Sequence, residues 1–311
     1  MAEVKEVYKP VETRRPLLRE IQYKKGFENR VAAIPIIEEE TPINLAFTWG
    51  KNSQNMSPKY LGEGETAEGN VQRVVDFLTS QGMSKPPNLI HTIARFDGEF
   101  HQIEEVALDN IDPQATAPLN MEANFVFTRD PRITLIIRPA DCPVSVLYAK
   151  DWSRRNIIGI CHSSGLSTNA GVQRMSIEHL IEDQNVDPST IKIGILPGVS
   201  QNNFYLVEEP GVTPILEGNW GDNITPKDPY QGKDQKRYVD LLGATIMQFE
   251  KTGVDPANIQ AYDIDTFEAA KRGESFSYEY TKETGLRQGR FLVAAQLASE
   301  SMIQILQSSS K

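Results

Sequence analysis

The sequence predicts a single α/β domain. β-branched and aromatic runs alternate with amphipathic segments along the 311 residues, and no internal repeat or long linker interrupts them. Hydrophobic residues make up 39% of the chain and charged residues 24%, which are ordinary values for a protein that buries a core. We therefore expect one domain over residues 27–311, preceded by a polar arm over residues 1–26.

The N-terminal third contains few clear elements. Residues 30–37 and 43–48 are short apolar stretches that favour strands. Residues 71–82 predict an amphipathic helix, because the apolar side chains recur at helical spacing and Gly82 provides a natural end. Residues 97–120 are polar and mixed, which favours an insertion or a hairpin with long connections.

The remaining chain is denser in regular structure. Strands are predicted at residues 125–127, 133–137, 144–148, 156–161, 191–196 and 258–264. Helices are predicted at residues 170–181, 238–252 and 290–307, and Gly253 stops the second of them. This alternation of strands and helices is what favours one α/β domain.

Charge and cysteine content exclude several classes of protein. A net charge of −10 and a pI near 5.1 argue against a nucleic-acid or anionic-membrane surface, which needs a basic face. No apolar run is long enough for a membrane span, and the first 30 residues have no signal-peptide core. Two cysteines make no disulfide scaffold. We expect a cytoplasmic protein, either a monomer or a homodimer.

Three metal-ligand side chains stand at the ends of predicted strands. His91, Cys142 and His162 each end or follow an apolar run, at the place where strands give way to the loops that build active sites. Two histidines and one cysteine leave a fourth zinc position open for water or substrate. A Cys142–His162 pair also fits nucleophilic catalysis, in which the imidazole lowers the pKa of the thiol. Both interpretations stay open from the residues alone.

The adjacent Cys161 has a different expected role. Side chains alternate across a strand, so Cys161 and His162 should face opposite sides. We expect Cys161 to lie in the core and His162 to face the site. His101 is a rival of His91 as the second histidine, whereas His179 lies within a predicted helix and fits a structural role.

Several short motifs follow one another in a recognisable order. They are Asn44-Leu45, Gln72-Arg73, Leu89-Ile90-His91-Thr92, Ala140-Asp141-Cys142-Pro143, His162-Ser163-Ser164-Gly165, Leu196-Pro197-Gly198, Phe276-Ser277-Tyr278 and Gly289-Arg290. Each is weak alone, but their shared order over roughly residues 27–300 is specific. On these motifs the chain resembles the YfiH-like laccase-domain proteins, also called multicopper polyphenol oxidoreductase-like.

The resemblance implies a fold and an activity. The fold is a single α/β domain layered α/β/β/α with mixed sheets, and the family members are cytosolic enzymes of purine nucleoside metabolism. They phosphorolyse adenosine, inosine and methylthioadenosine and deaminate adenosine. Carried over by motif, His91, Cys142 and His162 would be the zinc ligands and catalytic residues, and Arg73 would bind phosphate. The small-molecule partners would be a nucleoside and phosphate.

The resemblance also leaves alternatives. The fold is similar to that of bacterial toxin and chemotaxis deamidases that use a Cys–His pair, so an amidohydrolase with Cys142 as nucleophile is one. A member that has lost catalysis and serves as a binding protein is another. A copper-dependent phenol oxidase, an older label in the family, ranks last, because multicopper chemistry needs many histidines and the chain has 4.

Two arginines of the family pattern are absent from the expected positions. The Trp-Arg of the histidine motif is absent, because Ser164-Gly165-Leu166-Ser167 stands there, and Glu279 stands where Phe-Ser-Tyr-Arg ends in arginine. Phosphate is best held by guanidinium groups that bind it through two hydrogen bonds. The sequence therefore predicts weak phosphate binding and feeble phosphorolysis.

Overall fold

The computed structural model describes residues 17–298 except for 24–30, 33, 39–40, 51–53, 58, 62, 94–101, 208–213 and 228–235. Within these residues the strands build two large mixed sheets and one small ribbon. Elements are numbered in chain order. Among the described residues, no helix combines the length and the apolar character needed to cross a membrane.

The larger sheet has seven strands. In spatial order they are β1 (Leu17–Leu18), β14 (Ile259–Tyr262), β11 (Lys192–Ile195), β9 (Val144–Lys150), β10 (Asn156–His162), β7 (Phe125–Thr128) and β5 (Ile103–Glu105). The central trio β7, β10 and β9 is antiparallel, and β1, β14 and β11 run parallel to one another. β1 lies inside the predicted polar arm, so at least this part of the arm joins the sheet. The predicted boundary at residue 27 stays a prediction.

The second sheet has six strands. In spatial order they are β2 (Val31–Ala32), β3 (Ile43–Thr48), β15 (Val293–Leu297), β8 (Thr134–Ile137), β4 (Leu89–Ile93) and β6 (Leu119–Glu122). A separate ribbon pairs β12 (Tyr205–Val207) with β13 (Lys236–Tyr238). The helices are α1 (Pro35–Glu38), α2 (Ala67–Ser80), α3 (Gly165–Ala170), α4 (Val172–Glu182), α5 (Leu241–Lys251), α6 (Thr266–Lys271) and α7 (Tyr278–Thr284).

Three apolar clusters order these elements into layers. The largest lies between the two sheets and takes alternate residues of both, such as Val146 and Ile160 from one and Leu135 from the other. A second packs α4 and α5 on the outer face of the seven-stranded sheet. A third packs α2 on the outer face of the six-stranded sheet. The predicted α/β/β/α layering in a single α/β domain is therefore confirmed.

Helix α2 forms where the sequence pattern places it. Thr66 accepts a hydrogen bond at its side-chain oxygen from the backbone N–H of Gly69, 3.0 Å away, and so caps the first turn. Val74 and Leu78 are buried on one face, which matches the predicted amphipathic spacing. Gly82, just past the end, has a φ of +69°, a backbone conformation that glycine adopts without strain.

The predicted helix over residues 290–307 is wrong where the structure describes it. Val293–Leu297 forms β15, which pairs with β3 and β8 in the middle of the six-stranded sheet. This strand is buried on both faces, so its apolar residues show no alternation that would separate a strand from a buried helix. Residues 299–307 lie outside the described residues.

Two N-terminal predictions also differ from the structure. Residues 30–37 hold only the two-residue strand β2 before the short helix α1. Residues 97–120 do not form a hairpin in their described part, because β5 pairs with β7 in one sheet and β6 pairs with β4 in the other. This segment instead passes from one sheet to the other.

Another passage between the sheets lies at residues 138–143, which we call the crossing segment. It connects β8 of the six-stranded sheet directly to β9 of the seven-stranded sheet. Its backbone is held at three points: Phe291 N–H donates to Pro139 O at 3.0 Å, Val199 N–H to Asp141 O at 2.8 Å, and Ser163 N–H to Pro143 O at 2.9 Å. The segment that carries Cys142 is thus fixed to both halves of the fold.

Candidate active site

The three predicted ligands line one cavity. His91, Cys142 and His162 all face a cavity of about 920 Å³ that lies beside the crossing segment. This volume is at the upper end of the range typical of small-molecule sites. Three segments that are far apart in sequence therefore meet at one place in the fold.

His91 is held by its neighbour on the edge strand. It lies on β4 opposite Asn120 of β6, and its Nδ1 is 3.0 Å from Asn120 Oδ1. Because the amide oxygen accepts, Nδ1–H donates and Nε2 keeps its lone pair, as in metal-binding histidines that are oriented by a second hydrogen bond. Burial, with a contribution from Arg138, lowers the pKa of His91 to about 4, so the ring is neutral at pH 7.

His162 and Cys161 separate as strand alternation predicts. Cys161 is buried in the cluster under α4 and α5, with its Sγ 3.9 Å from Ser176 Oγ. His162 ends β10 on the opposite side and lines the cavity, and its buried Nδ1 has no hydrogen-bond partner in the described structure. Burial and the nearby Arg290 guanidinium lower the pKa of His162 to about 4.

Cys142 lies in the crossing segment and is partly exposed to the cavity. Burial, followed by the negative charges of Asp141 and Glu279, raises the pKa of its thiol to about 12, although Arg290 opposes this. A nucleophilic cysteine needs a lowered pKa, so this environment disfavours the Cys142–His162 hydrolase alternative. A bound cation is what would convert this thiol to a thiolate ligand.

The donors fit zinc chemically but are not drawn together around an ion. Among the described residues, no three His, Cys, Asp or Glu side chains are arranged to hold a metal as they stand. By strand alternation, His91 lies with Leu89 on the α2 side of its sheet, whereas His162 lies with Ile160 on the side between the sheets. Two neutral imidazoles, a thiol and the unpartnered His162 Nδ1 still supply the donor types that zinc prefers.

Two other predicted site residues stand apart. Arg73 is not brought to this cavity: its Nη1 donates to Asn55 O at 2.9 Å and pairs with Glu65 Oε1 at 3.1 Å, beside a separate cavity of about 340 Å³. The prediction of an anion-binding role for Arg73 at the ligand site is therefore not supported by its position. His101 lies outside the described residues.

Sequence reasoning missed four charged groups that line the main cavity. They are Lys59, Arg138, Glu279 and Arg290. Gly289-Arg290 is one of the family motifs and Glu279 departs from another, but neither pattern places its side chain at the site. Arg138 follows directly on the buried strand β8, and this position at a strand end was the available signal.

The two site histidines predict an acid-sensitive fold in metal-free protein. Their pKa values fall from the ordinary value of about 6.5 in the unfolded chain to about 4 in the folded chain. The unfolded chain therefore binds more protons between these values. This contribution to stability is complete above pH 6.5 and is lost as the pH falls toward 4, by roughly 3 kcal/mol for the buried His162.

Urea unfolding of chelator-treated protein at several pH values between 7 and 4 measures this loss. His162→Gln should flatten the decline, and His179→Gln, on a helix remote from the cavity, should leave it unchanged. If the free energy of unfolding falls equally steeply with pH in wild type and in His162→Gln, protonation of His162 is not the cause of the decline.

The fold and the site define a class of protein: a layered α/β/β/α domain with a large cavity lined by two histidines and a cysteine at the junction of its sheets. Residues 64–298 match the sequence profile of the family described as multi-copper polyphenol oxidoreductase laccase. The match spans most of the chain, which therefore belongs to this family.

Solved structures share the fold at low sequence identity. The Bacillus licheniformis hypothetical protein YfiH superposes with a TM-score of 0.64 at 16% identity, covering 86% of this chain and 97% of its own. YlmD from Geobacillus stearothermophilus superposes with a TM-score of 0.64 at 14% identity, covering 90% of this chain and 99% of its own. A Neisseria meningitidis protein of the DUF152 family superposes with a TM-score of 0.61 at 14% identity, covering 88% of this chain and 100% of its own. No curated protein sequence matches the chain significantly.

Proposed function

We propose that this protein is a zinc-dependent enzyme of purine nucleoside metabolism, with phosphorylase and adenosine deaminase-like activity. The observation that carries the proposal is that His91, Cys142 and His162 all line one cavity. Membership of the laccase-domain family agrees with it. The partners would be a nucleoside and phosphate, and the proposed location is the cytoplasm, where two free cysteines stay reduced.

The cavity offers suitable walls for a purine nucleoside. Aromatic and aliphatic side chains line it, among them Tyr60, Leu166, Phe204, Leu206 and Tyr278. Flat aromatic groups pack a heterocyclic base with favourable offset or edge contacts. A volume of about 920 Å³ leaves room for a nucleoside together with a phosphate ion.

The chemistry can be divided among the residues present. In phosphorolysis the C1′–N9 bond breaks, a C1′–O bond to phosphate forms, and the base leaves with a proton; in deamination, water adds at C6 and ammonia leaves. A zinc ion held by His91, Cys142 and His162 would supply Lewis acidity at the site. Glu279 lines the cavity, and burial raises the pKa of its carboxyl group; we assign to it the exchange of a proton with the leaving base.

Adenosine turnover tests the proposal. Protein purified without added metal is analysed for zinc and copper, then incubated with adenosine with and without phosphate, and the products are separated by chromatography. Adenine formed only with phosphate indicates phosphorolysis, and inosine indicates deamination. We expect near-stoichiometric zinc and at least one of the two products.

Histidine variants provide the matched comparison. We expect His91→Ala to lower turnover by about 100-fold or more, since supporting groups of a metal site already contribute 10- to 100-fold. His179→Ala changes a helical histidine that pairs with Asp183 at 2.8 Å, away from the cavity, and should keep full activity. Stoichiometric zinc without either product would instead favour a binding protein that has lost catalysis.

A further inference from the structure

Two arginines of the cavity differ from most of the other arginines of the described chain. Nine arginines pair with a carboxylate within 4.0 Å; they are Arg73, Arg129, Arg132, Arg154, Arg155, Arg174, Arg237, Arg272 and Arg287. Arg138 and Arg290 form no ion pair with any described carboxylate, and both line the main cavity. The molecule carries a net charge of −10, so acidic partners are plentiful elsewhere.

Arg138 is the more unusual of the two. Burial alone lowers the pKa of its guanidinium to about 10, and its buried Nε has no hydrogen-bond partner in the described structure. A partly buried cation without a counter-ion loses hydration that no group of the described chain replaces. A fold retains such a group at a cavity wall when an anion from outside the chain supplies the missing partner.

The strand register places Arg138 close to His91. It continues the alternation of β8, so it lies on the same side of the sheet as Ile136, which is the register partner of His91. Its charge contributes to the lowered pKa of His91, which agrees with this placement. Arg138 therefore stands next to one of the proposed zinc ligands.

Arg290 completes a positive wall. Its guanidinium carbon lies 4.4 Å from the centroid of the Tyr60 ring, and Nη1 donates to Gly289 O at 2.7 Å, so the group is held by stacking and by backbone. The two acidic side chains that line the cavity already have partners within the chain. Asp141 accepts from Thr266 Oγ1 and from Glu279 N, each at 2.7 Å, and Glu279 lies 3.6 Å from Lys282 Nζ.

We propose that Arg138 and Arg290 form an oxyanion subsite that binds a phosphate group in the cavity. Guanidinium groups match phosphate oxygens through paired, charge-assisted hydrogen bonds. The identity of the anion rests on the proposed phosphorolysis, in which phosphate is the second substrate. On this assignment, residues 138 and 290 take the anion-binding role that the sequence motif assigned to Arg73.

Titration with inorganic phosphate, in the absence of nucleoside, tests the subsite. Wild type is compared with Arg138→Gln and Arg138→Lys by calorimetry and by the phosphate-dependent rise in Tm. We expect Arg138→Gln to raise the Kd for phosphate at least about tenfold. Arg138→Lys should give an intermediate value, because lysine keeps the charge but not the planar pair of donors.

The control is Arg132→Gln, which alters an exposed arginine on the same turn-and-strand segment that pairs with Asp130 at 2.7 Å; its Kd for phosphate should equal that of wild type. Without phosphate, the Tm of Arg138→Gln should equal or exceed that of wild type, since an unpartnered buried charge is removed. A wild type that binds no phosphate at millimolar concentration, or an Arg138→Gln variant that binds it as well as wild type does, would overturn the subsite.

Further arms separate this inference from the proposed function and identify the source of the phosphate group. Phosphate binding that depends on Arg138 in a protein without adenosine turnover would keep the subsite and reject the phosphorylase. Phosphate-dependent turnover with an unchanged KM for phosphate in Arg138→Gln would keep the phosphorylase and reject the subsite. If adenosine 5′-monophosphate binds more tightly than phosphate and depends equally on Arg138, the subsite holds the phosphate of a nucleotide.

Discussion

Replacing Cys142 with alanine is expected to abolish metal retention and activity, whereas replacing Cys161 with alanine should leave both intact. The two cysteines lie in different environments: Cys142 lines the cavity, and Cys161 is buried against α4 and α5. Loss of one of three protein ligands removes the only thiolate of the site, so zinc content should fall from near-stoichiometric to background and turnover by at least about 100-fold.

The comparison is informative because both variants remove one sulfur atom. Zinc per chain is measured by elemental analysis after gel filtration, and turnover is measured with adenosine. Cys161→Ala shortens a core side chain and should cost about 1 kcal/mol or somewhat more in stability, without loss of zinc. Equal zinc loss in both variants would contradict the assignment of the ligand to residue 142.

Asp141→Ala is expected to destabilise the fold by on the order of 2–5 kcal/mol, because it leaves buried donors without an acceptor. The carboxylate is only 5% exposed and accepts from Thr266 Oγ1 and from the backbone N–H of Glu279. Alanine cannot replace either interaction. Since Cys142 follows directly, metal retention should also weaken. Urea unfolding with linear extrapolation gives the change in the free energy of unfolding.

Two further variants show whether unsatisfied donors are the cause. Thr266→Val removes one donor, so the double variant with Asp141→Ala should be less destabilised than the sum of the single changes. Asp263→Ala alters an exposed aspartate near the end of β14 and should change the free energy of unfolding by less than about 0.5 kcal/mol. Additive single effects would show that the hydrogen bond between Asp141 and Thr266 contributes little.

The fold class and the meeting of the ligands followed from the sequence for a physical reason. Strand ends and turn residues are local signals, so Cys142 and His162 could be placed at strand ends without knowing how the sheets are arranged. Alternation along one strand is equally local, and it separated Cys161 from His162. His91 also ends an apolar run, and the family motif supported it as the third candidate ligand. Its position in the fold depends on the partner strand β6.

What the sequence could not show depends on partners distant in the chain. β15 is apolar on both faces because it lies between β3 and β8, so its pattern did not distinguish strand from helix. The sequence suggested that Arg73 is free to bind an anion, but its guanidinium forms an ion pair with Glu65. Arg138 was overlooked although it follows a predicted strand, because the sequence does not reveal that its partly buried guanidinium lacks a counter-ion.

The cavity lies beside the crossing segment and is lined by residues of both sheets. His91 belongs to the six-stranded sheet, His162 to the seven-stranded sheet, and Cys142 to the single short link between β8 and β9. A zinc ion bound by all three would connect the two halves of the sandwich to each other. Sliding of one half relative to the other would then change the distances among the proposed metal-binding atoms, so that metal binding and the relative position of the two sheets would be coupled.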